Sequence, residues 1–101
     1  MKKIINNKLY NTDTATLIGE YENGYSCSDF CHMAEYLYKK RTNEYFLYGT
    51  GGPLSKYGER IGNEMCGGSV IIPLSDKVAR AWAMKHMDAD EFINAFGDVE
   101  E

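Results

Sequence analysis

The chain is poor in residues that staple, break or cross. In 101 residues it has two prolines, three cysteines, two histidines and a single tryptophan. An odd number of cysteines, with no apolar stretch after Met1-Lys2-Lys3 of the kind a secretory leader carries, predicts reduced thiols in the cytoplasm and not a disulfide scaffold. No run approaches the roughly 18 apolar residues that cross a bilayer, and no basic cluster flanks an amphipathic helix, so no membrane role is expected. Positive charge is also in short supply: 11 Lys and Arg against 15 Asp and Glu leave a net charge of −4. That balance argues against a polyanion as the main partner, because affinity for nucleic acid comes largely from neutralising phosphates, and it suits a basic protein groove instead. No internal repeat or low-complexity tract is visible.

What remains is the composition of a globular protein, 44% apolar and 26% charged, well away from the regime of disorder. A chain of this length is expected to form a single domain over residues 1–101, since a split would leave each half short of core.

The most informative stretch runs from Tyr36 to Gly49. Two aromatic runs flank the polar, basic turn Lys39-Lys40-Arg41-Thr42-Asn43-Glu44, and four of the eight tyrosines fall here. The pattern predicts a β-hairpin. Alternation puts Tyr36 and Tyr38 on one face and Leu37 on the other, and separates Tyr45 and Leu47 from Phe46 and Tyr48. Tyrosine offers a rigid surface with a polar tip, which suits a half-exposed sheet face or a binding surface. The ring face meeting Trp82, Phe92 and Phe96 is expected to be core.

Elsewhere, Lys2 to Asn6 reads as an opening strand, with Asn6-Asn7-Lys8 turning the chain into Leu9-Tyr10. Thr12 or Asp13 is expected to cap a short helix through Ala15, Leu17 and Ile18, ended by Gly19. Glu20 to Glu22 is extended and closes in the Asn23-Gly24 turn, with a loop from Tyr25 to Phe30. Residues 49–68 hold seven of the ten glycines and predict mostly loop, with a short helical or extended piece near Leu54 to Tyr57. Ser69 to Ile72 reads as a strand stopped by Pro73. Ser75 then caps a helix from Asp76 to about Met87 with Val78, Ala81, Trp82 and Lys85 on one stripe, and Asp88 with Glu91 forms a capping-box pattern for a second, Ala89 to Phe96, packing Phe92, Ile93 and Phe96 inward and ending at Gly97. Strands first and helices last predict an α+β fold, an antiparallel sheet with a C-terminal helical pair packed on one face.

Signals for chemistry are weak. Cys27, Cys31, His32, Cys66 and His86 contain metal-ligand types, but zinc sites show two tight ligand pairs and here the second would span Cys66 to His86. Adjacent Cys31 and His32 would point to opposite faces of a strand and cannot serve each other as nucleophile and base. Gly49-Thr50-Gly51-Gly52 lacks the Gly-Lys-Ser/Thr ending of a phosphate loop. No catalytic residue, metal or cofactor is therefore assigned. Lys39, Lys40 and Arg41 beside the tyrosines imitate a nucleic-acid surface, in which bases stack on rings while cations meet phosphates. Against them, Asp88, Asp90, Glu91, Asp98, Glu100 and Glu101 concentrate acid in the last 14 residues, mostly as helix caps and a solvated tail, though together they also mimic phosphate spacing. The candidate binding residues are Tyr36, Tyr38, Lys39, Lys40, Arg41, Tyr45, Tyr48, Asp98, Glu100 and Glu101.

Taken together, Lys3 to Asn6, Lys8, Tyr10 to Thr12, Thr14-Ala15, Tyr45 to Gly49, Gly51-Gly52, Ile71 to Ser75 and Ala89 to Phe92 resemble a family of small proteins carried by phages and mobile elements of Gram-positive bacteria. Some proteins in that setting are similar to anti-CRISPR or other anti-defence inhibitors. Together with the acidic balance, the small size and the excess of tyrosine, this predicts a non-enzymatic inhibitor or interaction protein in the cytoplasm of a bacterial host, occupying a basic surface of a defence protein or nucleoprotein such as a CRISPR effector. The resemblance brings no catalytic signature, and the cysteines lie outside the matched motifs. A nucleic-acid-binding accessory protein built on Tyr36, Tyr38 and the basic tip is the second expectation, and a small-ligand protein or hydrolase around residues 49–68 the third. A homodimer through an open sheet edge is compatible with either.

Overall fold

The computed structural model describes residues 1–24 and 30–97. It opens with a hairpin of β1 (Lys2–Ile5) and β2 (Lys8–Asn11). Asn6 and Asn7 supply the positive φ values, 51° and 64°, that a tight two-residue connection needs and that asparagine tolerates best among residues with a Cβ. β3 (Thr16–Glu22), β4 (Met33–Lys39), β5 (Tyr45–Gly51) and β8 (Gly68–Leu74) form one antiparallel sheet in the order β3-β4-β5-β8. Between β5 and β8 lies a small hairpin of β6 (Glu59–Ile61) and β7 (Glu64–Cys66). The helices α1 (Asp76–His86) and α2 (Ala89–Phe96) close the chain. The expected α+β fold is what forms.

Local chemistry explains both helices. The Ser75 side chain accepts from the Val78 amide, and Asp88 and Glu91 bond reciprocally to each other's backbone N–H, caps worth about 1 kcal/mol each. The inward stripe of α1 differs from the expected one. Ala79 and Ala83 are fully buried, with Trp82 and His86 partly so, while Val78, Ala81 and Lys85 face out. Small residues win the buried positions because α1 lies close against the sheet. On α2, Phe92 and Phe96 pack inward as expected, but Ile93 is exposed.

Three further expectations are corrected. The helix predicted from Thr12 through Ile18 is absent. Asn11 organises a single turn, receiving the Ala15 amide at 3.1 Å on its carbonyl and the Asp13 amide at 3.0 Å on its side chain, and the chain then extends into β3. The gain from pairing with β4 outweighs the local helical signal of a segment too short to hold a helix alone. Gly19 is consequently no helix terminator. It sits in β3 where a Cβ would lie 2.9 Å from Met87 Sδ and 3.3 Å from Trp82, so its lack of a side chain lets the helix layer approach. Residues 49–68 are also more ordered than their glycine content suggests, because β5 continues to Gly51 and the β6–β7 hairpin follows. Finally, Pro73 does not stop its strand; β8 runs on to Leu74, which an edge strand permits because only one side of its ladder is used.

The sheet has a core cluster on each face. Leu37, Tyr45 and Leu47 meet Ala79 and Ala83, with Trp82, Met87, Phe92 and Phe96 around them. On the opposite face Phe46 and Ile71 meet Tyr10, with Ile5, Ala15, Tyr38 and Tyr48 packed alongside. Leu37 and Phe46 are 0% exposed, and each contributes roughly 1.5–3 kcal/mol by burial.

Candidate interaction surface

The predicted aromatic hairpin is β4 and β5, in the register Tyr36↔Tyr48, Tyr38↔Phe46 and Lys39↔Tyr45. Strand alternation divides the predicted site residues between two layers. Tyr45 faces the helices, 7% exposed and stacked on Phe96 at 5.5 Å, so it is a core residue and leaves the candidate binding set. Lys39 shares that face, its ammonium 5.7 Å from the Tyr45 ring. Tyr36, Tyr38 and Tyr48 share the other face.

On that second face the β1–β2 hairpin covers one end only. Tyr10 meets Phe46 edge-on at 5.5 Å, and Tyr38 stacks flat on Phe46 at 5.2 Å. The next row across the sheet is Glu20, Tyr36, Tyr48 and Ile71, followed by Glu22, Ala34, Thr50 and Ser69. Tyr36 and Tyr48 stack on one another at 6.0 Å and 23°. Both are half-buried, and Glu20, Glu22 and Ser69 are exposed. Burial first, then the carboxylates of Glu22 and Glu20, push the Tyr36 phenol above its ordinary range, and burial with Tyr48 and Asp13 does the same for Tyr38. Both therefore remain protonated donors at neutral pH. An aromatic pair beside two carboxylates can hold a cation by ring face, hydroxyl and charge together.

The basic tip does not join this aromatic surface. Lys40 lies 4.3 Å over the Tyr10 ring and 3.4 Å from Glu44. Lys8 of the first hairpin reaches the same carboxylate at 2.9 Å, and the Thr42 hydroxyl donates to it at 3.0 Å. These contacts, the Lys8 hydrogen bond foremost, hold the Glu44 carboxyl at about 2. Arg41 is exposed at the turn. Lys39, Lys40 and Arg41, adjacent in sequence, thus serve three different environments. The other predicted residues, Asp98, Glu100 and Glu101, lie outside the described residues, as does Cys27.

Sequence reasoning overlooked Glu35. It stands on the helix-facing side of β4 opposite Gly49, only 3% exposed. Its carboxylate accepts from the Tyr57 hydroxyl, from Trp82 Nε1 at 3.1 Å and from Lys56 Nζ at 2.9 Å. Burial alone would favour the neutral acid, but these three donors outweigh it and keep the group below the usual carboxylate range. Gly49 is what admits Tyr57, for a Cβ there would lie 2.1 Å from Tyr57 Cζ and 2.4 Å from its hydroxyl oxygen. Beyond Trp82, His86 lies between its ring at 4.9 Å and that of Tyr21 at 4.0 Å, tilted by 53° and 33° to them. The only sequence signal for this cluster is an acid on the inward side of a strand, in step with Leu37. Both carboxylate oxygens are engaged by the chain itself, Oε1 by Trp82 and Oε2 by Tyr57 and Lys56, so the cluster has the chemistry of a structural joint.

Among the described residues, no three His, Cys, Asp or Glu side chains converge as metal ligands, and no helix is long and apolar enough to cross a membrane. Comparison with known protein families, curated proteins and solved structures finds no match to this chain.

Proposed function

We propose that this protein is a non-enzymatic interaction domain that engages a basic surface of a protein partner through the row Glu20, Tyr36 and Tyr48, with Glu22 beside it. The observation that carries this reading is the stacked Tyr36–Tyr48 pair, set next to two exposed carboxylates on the part of the sheet beyond the Tyr10–Phe46 contact. Tyrosines of this kind dominate interface energetics because they bury much area with little loss of rotamer freedom, and the neighbouring acids select a cationic partner. The self-satisfied Glu35 cluster supports binding over catalysis. With the family resemblance in its sequence, the partner to test first is a CRISPR effector or comparable defence nucleoprotein of a bacterial host, whose function the domain would inhibit by occupying its basic groove.

A pull-down with purified effectors, joined to an interference assay in cells, tests this. The native chain should associate and reduce interference. The Tyr36→Ala/Tyr48→Ala double variant should weaken association by at least about tenfold, and Glu20→Lys should weaken it further at low salt than at high salt. Retained association in both variants, or undiminished interference with the native chain, would overturn the proposal.

A further inference from the structure

We infer that the cleft between the β1–β2 hairpin and the β4–β5 turn is a binding site for the phosphate group of a nucleotide-sized ligand. The cleft has a volume of about 440 Å³ and is lined by Lys8, Leu9, Thr14, Lys40, Arg41 and Thr42, with Glu44 among them. That volume is within the range of small-molecule sites, roughly 300–1,000 Å³, and larger than a bare oxyanion needs.

Its electrostatics run against the rest of the chain. Three cations and one acid line it in a protein whose net charge is −4. Lys8 and Lys40, from different hairpins, already converge on one carboxylate, Glu44, at 2.9 and 3.4 Å. The fold thus holds two ammonium groups at the spacing that clasps an oxyanion, and Glu44 is the internal anion that occupies them. Lys40 is pre-positioned, its side chain 14% exposed and its ammonium seated over the Tyr10 ring, so little freedom is lost when an anion arrives. Arg41 has no acidic partner within ion-pair distance among the described residues and stands at the rim, suited to bidentate contact with a phosphate. Thr14 and Thr42 also line it, the Thr42 hydroxyl donating to Glu44 and so released to an incoming anion when that carboxylate is displaced. Leu9, 50% exposed, gives one wall an apolar surface for the organic part of the ligand. None of these residues belongs to the Tyr36–Tyr48 surface, so this site stands independently of the function proposed above.

The test is a titration of the full-length, isotopically labelled protein with AMP, followed by amide NMR, with inorganic phosphate and adenosine as parallel arms. AMP should produce saturable shifts confined to Lys8, Leu9 and the Lys40–Glu44 turn, weakening as salt rises. Inorganic phosphate should act at the same amides with lower affinity. Lys8→Ala/Arg41→Ala should weaken AMP binding by about tenfold or more, whereas Glu44→Gln, which removes the competing internal anion, should tighten it several-fold. The unchanged remainder of each spectrum reports that the variants are folded. Absence of shifts with millimolar AMP in both the native chain and Glu44→Gln would overturn the site, as would equal binding of adenosine. So would affinity that climbs with the length of a single-stranded oligonucleotide, which would mean a strand-tracking surface instead.

Discussion

Glu35 and Glu44 have similar company and opposite roles. Each carboxylate accepts from three donors: Tyr57, Trp82 and Lys56 in one case, Lys8, Lys40 and Thr42 in the other. Both are held below the ordinary carboxylate range. The difference is water, since Glu35 is 3% exposed and the Glu44 side chain 34%. Around Glu35 water has little access to the carboxylate, so its bonds from Tyr57 and Trp82 are integral to the fold, while Lys56, 60% exposed, closes the site from the solvent side. Around Glu44 the same contacts are exchangeable, screened by salt and worth little to stability, which leaves the two lysines available to another anion.

The sharpest way to break this comparison is Gly49→Ala. The added methyl displaces Tyr57 and strips Glu35 of one of its three donors, and overpacking together with the lost charge-assisted bond should destabilise the fold by on the order of 3 kcal/mol. Thermal melting would show it, and an unaltered midpoint would mean that Tyr57 is dispensable. Tyr57→Phe isolates the hydrogen bond and should lose about 1.5–3 kcal/mol by chemical denaturation, as expected for a bond to a charged group.

Acidification sharpens the same contrast. His86 is held below its ordinary 6.5 by burial between the two rings, an effect that the Glu35 carboxylate partly opposes and that Lys85 and Lys56 reinforce. The fold thus prefers the neutral imidazole, and stability should decline as pH falls below 6.5 through the folded-state value. Glu35, also depressed, contributes stability that is present above about 4.5 and lost as pH falls through its lower folded value. Melting temperature against pH should therefore fall in two stages, the upper one absent in His86→Phe and the lower one reduced in Glu35→Gln. The smallest effect is expected for Glu44→Gln at neutral pH, a change in stability within about 1 kcal/mol; a loss as large as that of Tyr57→Phe would erase the distinction between the two carboxylates.

Much of the architecture is legible in the chain because it depends on neighbours in sequence. The Asn6-Asn7 turn, the Ser75 and Asp88 caps and the alternation of the tyrosine hairpin each operate over a few residues, and each was readable. The segment after Asn11 misleads for a physical reason. Its cap-and-turn chemistry is real, but a strand partner far along the chain decides its fate. Alternation separated Tyr45 from Tyr48 correctly in the sequence, yet could not tell that Tyr10 would cover Phe46 and stop short of Tyr36. Glu35 was invisible because its donors Tyr57 and Trp82 stand 22 and 47 residues away, and an acid in a strand is ordinarily read as facing water. The cleft escaped for a similar reason. Lys8 is distant from Lys40 and Arg41 in sequence, and only the seating of one hairpin on the other brings them together.

The joint at Glu35 also sets an order of events. Its acceptor is on β4, two donors are on the connection after β5, and the third is on α1. β3, β4 and β5 can pair as successive neighbours, but the carboxylate is fully engaged only once β8 has been laid down and α1 has folded back. Interactions completed so late govern how fast the native state is lost and have little influence on how fast it is reached. Weakening this joint is therefore expected to speed unfolding more than it slows refolding, which the unfolding and refolding rates of Tyr57→Phe would show.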